Sequence, residues 1–141
     1  MHTEAMASHE ATYRAFIDGK LGKDEWTHEA HLITCWMALR TRSAAEALTH
    51  LRDSITEHNC GIGIQNTAVS GYHETMTVYY VTAIDALGAD SPEALFDEPS
   101  VSRDATMNHW TKDRLMSPEA RAAWLEPDIA PLPWTPVSDA A

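Results

Sequence analysis

Gly71-Tyr72-His73-Glu74-Thr75-Met76-Thr77-Val78-Tyr79-Tyr80-Val81-Thr82-Ala83-Ile84-Asp85-Ala86-Leu87-Gly88 is the stretch on which the fold class turns. Its centre, Thr77 to Thr82, is rich in β-branched and aromatic residues and reads locally as a strand. Over the whole stretch, Tyr72, Met76, Tyr79, Tyr80, Ala83 and Leu87 recur at i, i+3/i+4 spacing, and Gly88 stands where a helix would stop. The longer period favours a helix over about 72–87 and leaves the strand as the alternative.

Working outward, the same period recurs. Ala5, Met6, Tyr13, Phe16 and Ile17 form a stripe over 4–17, with Gly19 and Gly22 as breakers. A second helix is predicted to begin near Trp26, with Thr27 as N-cap and Glu29 in the first turn. From Ala30 to Leu39 it is apolar almost all round, the pattern of a helix in the middle of its domain. Ala47, Leu48, Leu51 and Ile55 mark a third helix over about 43–58, with Asn59 as its terminal turn residue. Residues 60–71 form a loop near the upper end of ordinary lengths. Ser91-Pro92-Glu93 and Ser117-Pro118-Glu119 each announce a short helix with a Ser cap, Pro first and an acid in the first turn. Another turn or two is expected over 108–115. Pro127, Pro131, Pro133 and Pro136 keep the tail extended, with Ile129, Leu132 and Trp134 to pack it. The expectation is all-α: one helical domain over 1–141, a bundle of about four main helices with short C-terminal helices and a proline-rich strap over about 127–141.

A chain of 141 residues that is 44% hydrophobic can build a core, which excludes disorder throughout. Against 21 acids stand 10 Lys and Arg, a net charge of -11, which argues against nucleic acid or an anionic membrane as partner. No Lys or Arg falls between Asp53 and Ser102, where eight acids do. That is either a solvated acidic face or a region that attracts cations. The start of the chain lacks signal-peptide features and no apolar run reaches the roughly 18 residues of a membrane span, so a cytoplasmic protein is expected. Cys35 and Cys60 lie outside any C-x-x-C motif and are expected as free thiols.

Eight histidines are the compositional oddity. His28 and His31 are three apart and share a helix face, which Cys35 and Ala38 extend with small side chains. On the later helix His73, Thr77 and Tyr80 share a face by the same logic. If those faces oppose each other, His28, His31 and His73 converge as a three-histidine site with an open fourth position, suited to Zn, Cu, Fe or Ni. Glu29 and Glu74 each follow a histidine and point about 100° away, as orienting groups or bases rather than ligands. Tyr80 adds a hydroxyl near the same face. Against this stand a metal-free polar pocket built on the same histidines and purely structural roles for them.

Established metal patterns do not fit: Glu25-Trp26-Thr27-His28 is the only E-x-x-H match, and there is no H-E-x-x-H, C-x-x-C-H or phosphate-binding glycine motif. His58 continues the Leu51–Ile55 stripe and reads as a buried histidine satisfied by a neighbour; His50 reads as solvated. His2 and His9 are placed on the polar side or frayed end of the first helix, and His109-Trp110 in packing.

Trp26-Thr27-His28-Glu29-Ala30-His31-Leu32 and Gly71-Tyr72-His73-Glu74-Thr75 resemble the hallmarks of a family of small, uncharacterised bacterial helical proteins. Leu115-Met116-Ser117-Pro118-Glu119-Ala120-Arg121, Pro127-Asp128-Ile129 and Pro131-Leu132-Pro133 resemble their C-terminal pattern, so the likeness runs from about Trp26 to Pro133. It implies no particular activity, and His58 stands where those proteins more often carry an aromatic residue. A looser likeness is to the DinB-like four-helix bundles, which hold a divalent metal with three histidines and often transfer thiols. Here the third histidine follows the H-x-x-H by about forty residues, an order unlike theirs, so the likeness is of the site alone.

Three functions follow. The first is a small metalloenzyme with a mononuclear site at His28, His31 and His73, Glu74 or Glu29 moving protons, and oxidase- or oxygenase-like chemistry on a small molecule slightly preferred. The second is a non-catalytic helical protein binding a small molecule or metal. The third is an assembly subunit in which Trp26, Trp124 and Trp134 help form an interface and the histidines tie helices together, for which a homodimer is allowed.

Overall fold

In the computed structural model, which describes residues 2–138, the chain runs through α1 (His2–Ile17), α2 (His28–Arg40), α3 (Ala44–Gly61), α4 (Glu74–Leu87) and the short α5 (Glu93–Phe96), α6 (Lys112–Leu115) and α7 (Pro118–Ala122). Single 3-10 turns lie at Lys23–Glu25, Pro99–Val101 and Ala105–Asn108. The fold is a small all-α bundle, with no strand among the described residues. The side chains of His2 and Ala5 and all of residues 139–141, which the sequence placed at the ends of the first helix and the strap, lie outside the described residues. No helix among the described residues is long and apolar enough to cross a membrane.

The cap signals at Thr27 and Ser117 act where they were read. Thr27 is extended (φ −83°, ψ 172°) and its hydroxyl accepts from the Ala30 amide, starting α2. Ser43 and Glu46 close a reciprocal capping box at the start of α3. Ser117 caps α7 with Pro118 at its first position. Helix α2 is the central element: Ala30, Leu32, Ile33, Thr34, Cys35, Met37 and Ala38 are buried, and it packs on α1, α3, α4 and α5. Tyr79 and Trp110 sit in the same core with almost no exposed surface. In α4 the β-branched Thr75, Val78, Val81 and Thr82 are buried, so packing outweighs their strand preference.

Three boundaries differ from expectation. Helix α4 starts at Glu74, leaving His73 outside as its N-cap (φ −132°, ψ 108°). Helix α3 continues through His58, Asn59 and Cys60 to Gly61, and the Ile62 amide closes it on the carbonyls of His58 and Asn59. Helix α5 begins at Glu93 after Pro92, and Ser91 provides no cap.

The 62–73 connection is held by Asn66. Its Oδ1 accepts from Asn59 Nδ2 and the Tyr72 amide, while its Nδ2 donates to the Thr56 carbonyl at 3.0 Å. Gly71 closes the loop against that side chain at φ 80°; a Cβ there would lie 2.5 Å from the Gln65 carbonyl oxygen and 2.6 Å from Asn66 Oδ1. Gly71→Ala is therefore expected to destabilise the protein by about 2 kcal/mol or more, through backbone strain and the clash together. Urea unfolding checks this; a change within about 0.5 kcal/mol, the range of a neutral surface substitution, would show that the loop is not tightly held.

Candidate functional site

The α2 and α4 faces do meet: the rings of His28 and Tyr80 are edge-on at 5.6 Å. What lies between the helices and the C-terminal half is backbone. Three successive carbonyls at the end of the Pro99–Val101 turn and just beyond it each accept a side-chain hydrogen: Ser100 from Tyr79 Oη (2.7 Å), Val101 from His28 Nε2 (2.9 Å) and Ser102 from Tyr80 Oη (2.7 Å). Burial raises the pKa of the Tyr80 hydroxyl, with Tyr79 and Asp104 adding to it, which fits a hydroxyl that donates rather than ionises.

His73 stands elsewhere. Tyr80 lies seven residues beyond it, and at a rise of 1.5 Å per residue that is about 10 Å along the chain's helical path. Its Nε2–H donates to the Leu115 carbonyl (2.7 Å) and its Nδ1 accepts from the Met76 amide (3.1 Å), so both ring nitrogens are used. His31 is exposed, donates through Nδ1 to the Thr27 carbonyl (2.7 Å) and stacks on Trp26 at 3.7 Å. Desolvation of the ring face stacked on Trp26 lowers its pKa, and His28 and His58 add to the shift. His28, His31 and His73 thus serve three separate carbonyls, and among the described residues no three His, Cys, Asp or Glu side chains form a group able to hold a metal ion.

The remaining histidines are also tied in. His58 is buried, as expected, and donates from Nε2 to the Leu21 carbonyl, while its Nδ1 has no partner beside the rings of Phe16 and Trp26. His109 bonds the Ala130 carbonyl, and Trp110 is packed with its Nε1 on the Leu125 carbonyl. Two placements differ from expectation. His9 is buried and bonds both oxygens of Glu93, linking α1 to α5, and His50 is half-buried with its Nε2 on the Tyr13 hydroxyl at 2.7 Å.

Of the two glutamates, Glu29 is exposed on the first turn of α2. Glu74 is buried and belongs to a polar cluster that the sequence reading only touched. Arg52 of α3 grips it through Nε (2.9 Å) and Nη2 (2.7 Å), and the Tyr72 hydroxyl donates to the same carboxylate at 2.7 Å. Burial first, then the Glu74 carboxylate, raises the pKa of Tyr72.

This cluster forms one wall of a groove of about 790 Å³ between α3, α4, α7 and the strap. Leu48 and Val78 supply apolar floor, and Trp124, Val137 and Arg121 supply the other wall. Arg121 Nη1 donates to the carbonyls of Gly71 (2.8 Å) and Tyr72 (3.4 Å); its Nε is buried without a partner. A second cavity of about 310 Å³ lies within the strap between Trp124 and Pro136 and is lined by no cation.

Sequence reasoning missed Arg52, Arg121 and Trp124 as site residues, because a lone arginine or tryptophan at no fixed spacing carries no chemical pattern. The one available signal was that Arg52 is the last base before the basic-free stretch. No protein-family model matches this chain, and no curated protein or solved structure matches it.

A structural His73 has a pH signature. Burial, chiefly, lowers its pKa below 6.5, and the nearby Arg121 charge acts in the same sense. The unfolded chain therefore binds this proton more readily, so the contribution of His73 to stability is complete above about pH 6.5 and is lost on acidification below it. His73→Asn keeps an N-cap acceptor and loses the titration. It is expected to flatten the fall in urea stability between pH 7.5 and 5.0, while His73→Ala costs about 1–3 kcal/mol at pH 7.5. Identical pH slopes for wild type and His73→Asn would overturn this assignment.

Proposed function

We propose that this protein binds a small organic molecule in the groove between α3, α4, α7 and the strap. The observation that carries the reading is the convergence there of Arg52, Glu74, Tyr72 and Arg121 on apolar walls, a few fixed polar groups in a mostly apolar cavity of ligand size. Every wall is anchored: Arg52 to Glu74, Thr75 to the Ala123 carbonyl (2.9 Å), the Leu125 amide to Thr75 Oγ1 (3.1 Å), and the Val137 amide to Thr82 Oγ1 (3.0 Å). A groove held open this way needs little reorganisation on binding.

The reading takes up small-molecule binding and places it away from the histidines. A three-histidine metal enzyme has less support, since His28, His31 and His73 spend their donors on separate segments of backbone. Assembly through Trp26, Trp124 and Trp134 is also less favoured, because Trp26 stacks on Phe16 and His31, Trp124 gives its indole N–H to Glu126 and Trp134 packs edge-on against Tyr79.

The test is a fragment screen followed by amide chemical shifts, with neutral, cationic and anionic aromatic fragments. Hits are expected to move amides of 48–56, 72–78 and 121–126 together. Ala122→Trp, at an exposed lining position of α7, is expected to weaken those hits at least tenfold. Hits that cluster elsewhere, or that bind the variant as well as the wild type, would overturn the reading.

A further inference from the structure

We propose that the ligand of this groove is a monoanionic carboxylic acid on a flat apolar body, its carboxylate received by Arg121. The inference rests on the binding reading above and narrows it to one chemical class.

It starts from how the two cations and two carboxylates that line the groove are partnered. Arg52 and Glu74 neutralise each other through two hydrogen bonds. Glu126 accepts the indole N–H of Trp124 at 3.0 Å, which fixes the tryptophan at the groove wall. Among the described residues Arg121 has no such counterpart. The ion pairs among the described residues are His9–Glu93, Arg40–Glu10 and Arg52–Glu74, and Arg121 takes part in none of them. It spends one Nη on two neutral carbonyls, and its buried Nε–H has no acceptor. A guanidinium presents its Nε and one Nη as a parallel pair of donors matched to the two oxygens of a carboxylate. A small movement of Arg121 toward an incoming carboxylate gives Nε the acceptor that the free protein lacks.

Charge number then separates carboxylate from phosphate. Glu74 and Glu126 line the same groove, and the chain as a whole carries a net charge of -11. A single negative charge finds a cation without a carboxylate partner, whereas a second would face two carboxylates and the field of the whole molecule. The apolar remainder of the ligand lies along Leu48, Val78 and Val137, beside the fixed indole of Trp124.

Three probes with one aromatic body test this: 2-naphthoate, 2-naphthamide and 2-naphthyl phosphate, titrated by calorimetry and followed at the Arg121 Nε–H resonance. Naphthoate is expected to bind at least tenfold more tightly than either of the others and to shift Nε–H, which naphthamide leaves in place. Arg121→Gln, which retains a donor for the Gly71 carbonyl, is expected to reduce the preference for acid over amide to within twofold. Arg121→Lys is expected to keep part of it. Equal binding of acid and amide in the groove would overturn the inference and leave the binding reading intact. So would tighter binding of the phosphate, an unmoved Nε–H, or an acid preference that survives Arg121→Gln. If none of the probes binds and the fragment screen finds nothing in the groove, both readings fall together. Because the Nε–H shift and the acid–amide ratio are measured on the wild type, an unfolded variant does not remove the test.

Discussion

A carbonyl oxygen can only accept, and that constraint shapes the second half of this molecule. Beyond Gly88 the chain is made of single helical turns and an extended strap, so long helical ladders cannot satisfy its backbone. The donors come from side chains on the long helices. Trp36 serves Ala89, Tyr79 serves Ser100, His28 serves Val101, Tyr80 serves Ser102, His73 serves Leu115 and Thr75 serves Ala123. Each bond contributes about 1 kcal/mol net, but a buried carbonyl left without its donor costs about 1–3 kcal/mol, so the set acts as a requirement for docking the C-terminal half.

The need of backbone carbonyls for donors, in both halves of the chain, accounts for most of the histidine content. Among the described residues, five histidines bond to a backbone carbonyl: His28, His31, His58, His73 and His109. Imidazole suits the task because it is neutral when desolvated, unlike a buried lysine, and still presents an N–H at the end of a rigid ring. Giving one N–H to a carbonyl leaves a lone pair on the other nitrogen. His73 uses that lone pair on the Met76 amide and so joins the start of α4 to α6 with one ring. His58 leaves its lone pair unpartnered beside Phe16 and Trp26, where the stacking surface of the ring offsets part of the loss.

The bundle was legible in sequence because its signals are local. Thr27, Gly88 and the Ser117-Pro118 pair mark boundaries through bonds made within a few residues, and the apolar surround of α2 follows from its central place. Helix α4 was legible by period despite its strand-like centre. The meeting of His28 and Tyr80 across α2 and α4 entered only as a condition, because periodicity defines the face of one helix and not its partner. The role of His73 was not legible, and one residue decides it: counting His73 inside the helix puts it on the face of Thr77 and Tyr80, whereas as N-cap its ring turns back on the Met76 amide. The partners of the histidines are carbonyls, which every residue carries, so no side-chain pattern announces them. The groove was hidden for a related reason: Arg52 meets Glu74 across 22 residues and Arg121 meets Gly71 across 50.

Those long-range pairs also explain why the groove lies where it does. Gly71 can adopt its positive φ only without a Cβ, and that turn sets the carbonyls of Gly71 and Tyr72 within reach of Arg121. The next residues divide their work: Tyr72 and Glu74 engage Arg52 of α3, while His73 and Thr75 engage Leu115 and Ala123 of the C-terminal half. Four consecutive side chains thus hold two opposite walls from one short segment. The bonds that fix these walls in place also set their separation. Arg121, satisfied only in part by neutral carbonyls, is where that arrangement keeps a buried Nε–H without an acceptor at the wall of the cavity.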